Sequence, residues 1–420
     1  MNRGFYTIMA AQFFSSLADN ALLFVAIDVL VRMNAPASLT PLLKLSFVVF
    51  YVLLAAFVGA FADSLPKGRV MFIANLVKIF GCALMFLTVH PLLAYAVVGF
   101  GAAVYSPAKY GILTELLPPE KLVVANGWIE GLTVMSIIFG TVLGGALVSN
   151  AGSNLLLGLN FPLFDTGIDT TSEAAMAVVA FIYVLATLFN LRIPDTGARY
   201  EHQERNPMKL IADFANCSAT LWKDKLGQIS LAVTTLFWGA GATLQLIVLK
   251  WAERSLGMTL DKATGLIGVV AIGVAVGAVL AARMVPLRKS LTVIPMGIFM
   301  GLVVTGMVFV HDVVIAYPLL ALIGFLSGFF VVPMNALLQH RGHVLMSAGH
   351  SIAVQNFNEN LSILTMLALY AIMITLNLDL NIIIVLFGLS IAGITFLILR
   401  LHQRNQKQHD SLALIGEHKH

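Results

Sequence analysis

Apolar residues run along the chain in long blocks, separated by short polar punctuation. A helix needs about 20 apolar residues to cross the hydrocarbon core of a bilayer. Blocks of that kind fall near 5–32, 42–64, 69–89, 91–116, 122–149, 173–192, 227–252, 262–284, 289–310, 313–339, 347–376 and 379–401. The pattern predicts twelve spanning helices. It lacks the alternating segments of about ten residues that mark a transmembrane β-barrel. Hydrocarbon admits only helices or closed barrels, because every backbone polar group must be bonded internally. The fold class predicted is an all-α membrane protein.

One polar stretch is much longer than the rest. It runs over residues 193–225, includes the string IPDTGARYEHQERNP, and ends in an amphipathic piece with Phe214, Leu221 and Trp222. It divides the chain into an N-terminal six-helix bundle at 1–192 and a C-terminal six-helix bundle at 226–402. A solvated tail follows at 403–420. Weak internal similarity supports two related halves. The fourth and tenth helices each lead from Gly-Phe to a proline, in VGFGAAVYSPAKYGIL and IGFLSGFFVVPMNALL. Gly127-x-x-x-Gly131, Gly140-x-x-x-Gly144 and Gly273-x-x-x-Gly277 are expected to let helix backbones approach closely.

Composition sharpens the class. Fifty-nine percent of the 420 residues are hydrophobic, 11% are charged, and the mean hydropathy is +0.90. A soluble domain carries roughly 25% charged residues, so the exterior of this chain is built for lipid. The formal charge of +4 is no sign of nucleic-acid binding. Its basic residues sit in the short connections, where they set orientation. One set of connections holds Lys67, Arg69, Lys121, Arg192, Arg199, Arg205, Arg283, Arg288, Lys289 and Arg341, while the tail adds Arg404, Lys407 and Lys419. The other set holds only Arg32, Lys44, Lys250, Arg254 and Lys262, and its long loop carries Asp165 and Asp169. The asymmetry predicts both termini inside. The first apolar block contains Asp19 and reads as a spanning helix, not a cleaved signal. Cys82 and Cys217 form no metal or redox pattern; Cys82 reads as a buried thiol.

Polar residues inside the blocks are costly and mark a cavity or a buried partner. Gln12, Ser15, Ser16 and Asp19 share one face of helix 1, with Asn20 beside them. Lys109 sits in helix 4 behind Pro107, which is expected to loosen the helix, and between Tyr105 and Tyr110. Glu130 and Asn126 lie in helix 5, and Thr243 and Gln245 in helix 7. Asn335 and Gln339 lie in helix 10. Helix 11 is richest, with Gln355, Asn356, Glu359 and Asn360. The alternative is an ion pair, Asp19 with Lys109 or Lys109 with Glu130, that only holds helices together. Lys78 and Glu115 read as side chains reaching for the polar surface. No metal site, cofactor motif or catalytic signature is present: there is no P-loop, no H-E-x-x-H and no G-x-S-x-G. The chain is not expected to be an enzyme.

The loop between helices 2 and 3, Gly59-Ala-Phe-Ala-Asp63-Ser-Leu-Pro-Lys67-Gly-Arg69, resembles the characteristic loop of the major facilitator superfamily. Two six-helix bundles joined by a polar linker are that superfamily's plan. Longer strings resemble the bacterial lysophospholipid transporter family. They are AQFFSSLADNALLF, FVGAFADSLPKGRVMFIANLVK, GFGAAVYSPAKYGILTEL, LFWGAGATL, GFFVVPMNALLQHRG and GHSIAVQNFNEN. The resemblance implies transport of lysophosphatidylethanolamine and related lyso-lipids across the bacterial inner membrane to the cytoplasmic leaflet. A partner acyltransferase/acyl-carrier-protein synthetase re-acylates them there. Asp19, Asn20, Lys109, Gln355, Asn356, Glu359 and Asn360 match the family strings, whereas Gln245 stands where the family has an arginine. Asp19 or Glu130 is expected to receive an ammonium and Lys109 a phosphate, while the helix 11 amides bind glycerol. Alternating access is expected to be gated near Asp63, Lys67 and Arg69. A proton-coupled drug exporter and a non-transporting scaffold for the acyltransferase are the alternatives.

Overall fold

The computed structural model describes residues 3–36, 39–149, 170–200, 206–258, 260–408 and 415. Asp165 and Asp169 of the long loop, Arg205 of the linker and Lys419 of the tail lie outside the described residues. Every regular element among the described residues is a helix. Among the described residues, eleven helices are long and apolar enough to cross a membrane, and a bent pair makes a twelfth if it counts as one span.

That pair is α2 (Leu39–Leu53) and α3 (Ala55–Ser64), bent by 68°. The apolar pattern predicts a single helix over 42–64. The Leu54 backbone leaves the helical region (φ −104°, ψ 5°), and its carbonyl accepts from the N–H groups of both Phe57 and Val58. The segment before the break runs close against a neighbour. Gly99 of α5 (Pro91–Leu116) lies so close to α2 that a Cβ there would sit 2.5 Å from the Phe47 carbonyl. α5 itself continues through Pro107 without interruption.

The chain forms two compact units. The first holds Met1–Ile112 with Met135–Leu210, and the second Leu113–Val134 with Ile211–His420. In the first, α1 (Arg3–Arg32) packs on α7 (Thr171–Leu191), which also meets α4 (Lys67–Phe86). Their core includes Leu22, Val25, Val98, Val179 and the buried thiol of Cys82. Gly140 and Gly144 of α6 (Leu122–Val148) lie against the α1 backbone at Leu17 and Ala21.

The second unit contains α9 (Gly227–Ser255), α10 (Leu260–Met284), α11 (Ile294–Thr305), α12 (Val313–Leu345), α13 (Ala348–Thr375) and α14 (Leu380–Gln408). The first turns of α6 join this unit, where Gly127 faces Ala278 and Ala282. Its core gathers Ile247, Leu320, Ile323 and Ile384 around Trp251, whose indole N–H donates to the Met307 carbonyl at 3.1 Å. The closest helix contact is α10 on α12. Gly273 and Gly277 face Ala321 and Phe325, and Gly324 and Gly328 face Val270 and Val274, backbone to backbone. The linker helix α8 (Pro207–Lys223) is amphipathic as expected. Leu221 packs with Leu231, Leu338 and Val354, and the Phe214 ring meets Phe357 at 5.4 Å. Met208, Ile211 and Trp222 remain exposed.

Candidate functional site

Each unit holds a polar cluster inside its spanning helices. In the first unit the centre is Asp19 of α1. Its Oδ2 accepts from Lys78 Nζ of α4 at 2.7 Å, and its Oδ1 accepts from the Tyr183 hydroxyl of α7 at 2.7 Å. The Lys78 ammonium also donates to Ser15 Oγ at 3.0 Å, and Ser15 donates to Asn75 Oδ1 at 2.8 Å. Aromatic faces complete the cage. Lys78 Nζ lies 5.0 Å from the Tyr105 ring centre and 6.0 Å from that of Tyr183. A ring face attracts a cation more strongly where water is excluded. The Tyr95 hydroxyl donates to the Asp19 carbonyl at 3.3 Å.

This corrects the reading of Lys78. Its side chain is 2% exposed and points into the bundle instead of reaching for the surface. A buried ion pair requires both desolvated charges to be hydrogen-bonded, and Tyr183 and Ser15 provide those bonds. The Asp19 side chain is 15% exposed, so one edge of the cluster stays open.

Lys109 lies on α5 with its Nζ 4.2 Å from the Tyr110 ring centre, and it is partly buried. Asn20 turns back on its own helix and donates to the Ser16 carbonyl at 2.8 Å; Ser136 of α6 donates to Ser16 Oγ at 2.9 Å.

The second unit carries a chain of amides and carboxylates. Asn126 of α6 and Gln339 of α12 exchange two amide hydrogen bonds, at 2.8 and 2.9 Å. Further along the same helices, Asn335 Nδ2 reaches Glu130 Oε1 at 3.3 Å. Gln355 of α13 donates to Asn335 Oδ1 at 3.1 Å and to Glu359 Oε1 at 2.7 Å. All six side chains belong to buried residues. The structure thus brings together six residues singled out from the sequence: Asn126 pairs with Gln339, and Glu130, Asn335, Gln355 and Glu359 form a chain of three hydrogen bonds over three helices. Asn360 instead donates to the Asn356 carbonyl one turn earlier. Gln245 is exposed on α9, and Lys250 pairs with Glu253 at 3.1 Å on the surface.

At the Lys/Arg-rich end of the first unit, Lys67 Nζ contacts Asp63 Oδ1 at 2.5 Å and the Ala62 carbonyl at 2.7 Å, both side chains being almost fully buried. The Tyr200 ring covers that ammonium at 4.9 Å. Arg69 is exposed and does not share the pair. The second unit has a buried pair of its own that the sequence does not reveal. Arg341, read as a loop cation, lies inside α12 and is 2% exposed. Its guanidinium forks onto Asp224 at 2.6 and 3.2 Å, and Asp224 caps the start of α9 through the Leu226 and Gly227 N–H groups.

Tyr183, Tyr95 and Asn75 escape sequence reasoning because tyrosines and a lone asparagine are ordinary within helices. Lys78 could have been found. It lies eleven residues beyond Lys67, about 16 Å along the axis at 1.5 Å per residue, which is too deep for a side chain to reach the surface.

The major facilitator superfamily model matches residues 8–363. A lysophospholipid transporter LplT of Yersinia enterocolitica is 41% identical over 90% of this chain and 89% of its own length. The LplT of Yersinia pestis is 40% identical over 90% and 88%. Among solved structures, the major facilitator transporter FucP in the outward conformation is similar with a TM-score of 0.71. It is 13% identical and covers 95% of this chain and 98% of that one. A bacterial homologue of the iron transporter ferroportin, outward-facing, is similar with a TM-score of 0.71 at 12% identity, covering 97% and 100%. Those two likenesses concern the fold alone. On the match across the spanning helices and the relatives' identity over nine-tenths of the chain, this protein belongs to the major facilitator superfamily and, within it, to the family of these lysophospholipid transporters.

Proposed function

We propose that the protein carries lysophospholipids across a bilayer, with lysophosphatidylethanolamine as cargo and the cytoplasmic leaflet of the bacterial inner membrane as destination. The observation that carries this reading is a carboxylate and an ammonium held together deep in spanning helices of a chain from this family. A zwitterionic head offers the same two charges. Asp19 takes the ammonium of the head, and Lys78 or Lys109 takes its phosphate as a point charge. Entry of the head exchanges one ion pair for two, so neither charge is left bare in low dielectric. Glu130 and Glu359, with the amides of Asn126, Asn335, Gln355 and Asn356, supply a second set of acceptors and donors for the ammonium and the glycerol hydroxyl. The single acyl chain stays against apolar walls or in lipid.

Movement follows by alternating access of two bundles, 1–192 and 226–402, joined by the linker 193–225, with Asp63, Lys67 and Arg69 at the gate. Both termini face the cytoplasm on the positive-inside rule. An acyltransferase/acyl-carrier-protein synthetase in the receiving leaflet is the partner that consumes the cargo.

Vesicles containing the purified chain and fluorescent lysophosphatidylethanolamine test the reading. Accelerated inward movement, lost in Asp19→Ala and in Lys109→Ala, is expected. No acceleration over empty vesicles sinks it. Ethidium efflux that collapses with an uncoupler points to a drug exporter instead. Lipid flux no faster than in empty vesicles, beside co-purification of the acyltransferase, points to a non-transporting scaffold.

A further inference from the structure

A second polar site lies away from both clusters, on the Lys/Arg-rich end of the first unit. There the start of α4 and the end of α7 enclose an open-sided cavity of about 460 Å³, lined by Arg69, Phe72, Ile73, Asn190, Leu191 and Asp195 among others. Ligand sites commonly run from about 300 to 1,000 Å³.

Four observations give the cavity a chemistry. Asn190 is 2% exposed, yet neither its amide nitrogen nor its amide oxygen has a hydrogen-bond partner. A buried amide without partners costs about 1–3 kcal/mol, so such a group calls for something to bond it. Arg69 is exposed at the start of α4, where the helix N-terminus adds partial positive charge. Asp195 is the one carboxylate of the lining. Its hydrogen bond from Arg199, then that from the Gly197 N–H and the nearby Arg69 charge, hold it down to about 2. It is therefore an anion throughout the physiological range. Finally, Ile73 and Leu191, on helices long and apolar enough to cross a membrane, are exposed, Leu191 at 62%, and give the open-sided cavity an apolar wall.

One cation, one anion, an amide with both functions vacant and a wall open to acyl chains do not match a free anion. We infer that this cavity holds the zwitterionic headgroup of a phospholipid in the leaflet at the Lys/Arg-rich end. The phosphate faces Arg69 and the Asn190 amide, and the ammonium faces Asp195. The glycerol and chains lie along Phe72, Ile73 and Leu191. Two sources share this headgroup chemistry: a resident two-chain phospholipid, and a lyso-lipid that has crossed. The site stands on the cavity's own lining and does not require the transport reading to hold.

The full-length protein in detergent, analysed by native mass spectrometry, tests the site. The probes are palmitoyl-oleoyl phosphatidylethanolamine, its lyso form, palmitoyl-oleoyl phosphatidylglycerol and inorganic phosphate. The wild type is expected to retain one ethanolamine lipid above the glycerol lipid. Asn190→Leu is expected to lose that retention by about ten-fold, the effect of one hydrogen bond to a charged group. Its melting temperature should not fall, because an orphaned amide has been removed. Asp195→Asn, an exposed change that spares the fold, is expected to erase the preference for ethanolamine over glycerol while retaining binding.

Equal retention in wild type and folded Asn190→Leu overturns the assignment, as does an unaltered headgroup preference in Asp195→Asn. So does full displacement by inorganic phosphate alone. Retention of the two-chain form identifies a resident lipid, and retention of the lyso form alone identifies cargo; both support the site. If the vesicle assay fails while these differences persist, the transport reading falls and the headgroup site stands.

Discussion

The polar cluster within the spanning helices of the first unit is built on an ion pair, and that of the second on amides with carboxylates at the edge. The second unit's own ion pair, Arg341 with Asp224, lies apart from its amides, where α8 leads into α9. Lys78 and Asp19 are an ion pair enclosed by tyrosine rings and hydroxyls. Asn126 and Gln339 are neutral and bond each other twice, while Glu130 and Glu359 each meet an amide N–H. The difference matters energetically. Removing one partner from a buried ion pair leaves a bare charge, which costs far more than a bare amide. The ionic cluster is therefore the region where losing one partner costs most. The amide network can exchange a protein hydrogen bond for one from a ligand at little cost.

The sharpest way to break this contrast is Lys78→Met. It strands the Asp19 carboxylate beside Tyr183, and a loss of about 3–5 kcal/mol is expected in reversible unfolding. Adding Asp19→Leu should restore most of that stability while leaving lipid flux absent. A single change at Lys78 that leaves the melting temperature unaltered would remove the ionic half of the comparison.

In the second unit, Gln339→Leu leaves the Asn126 amide half satisfied, and about 1–3 kcal/mol should be lost. The double change Asn126→Leu with Gln339→Leu should be nearly neutral, so a double-mutant cycle reads the coupling directly. A cost for Gln339→Leu as large as that for Lys78→Met would erase the distinction.

Glu359→Gln is milder still. It keeps shape and one acceptor for Gln355, so a stability change under about 1 kcal/mol is expected. Flux of lysophosphatidylethanolamine in vesicles should nevertheless fall, which separates a binding role from a structural one.

The smallest effect is expected on the surface. Arg199→Ala releases Asp195 from its 2.8 Å and 3.1 Å contacts and should not shift the melting temperature measurably. It should show instead in the pH profile. Asp195 is depressed from an ordinary 3.8 to about 2 in the folded chain. Its contribution is therefore present above about 3.8 and lost as pH falls toward 2. A carbon-13 titration of the Asp195 carboxyl should move up toward the ordinary value in the variant.

The helices were legible because hydrocarbon leaves so few choices: long apolar blocks bounded by basic loops map onto α1, α5, α7 and α9 within a few residues. The break at Leu54 was not, since Leu53-Leu54-Ala55 contains neither glycine nor proline. Site residues on one helix face were legible for the same reason that periodicity is: Gln355 and Glu359 are four apart and bond each other. Partners across helices were not. Nothing local ties Asp19 to Lys78 or Tyr183, or Arg341 to Asp224, because which helices face each other is decided by packing over the whole unit.

The contact between α10 and α12 also has a meaning for how the gene can vary. Gly273, Gly277, Gly324 and Gly328 each face backbone atoms of the opposite helix at a separation where no Cβ fits. Every amino-acid replacement of a glycine adds at least that atom, so these four positions have no conservative neighbour in sequence space. A saturation library scored for folded protein should show four columns of uniform loss, spaced four residues apart on each helix. Gly265 and Gly268, with open space around their Cβ positions on the same helix, should tolerate alanine.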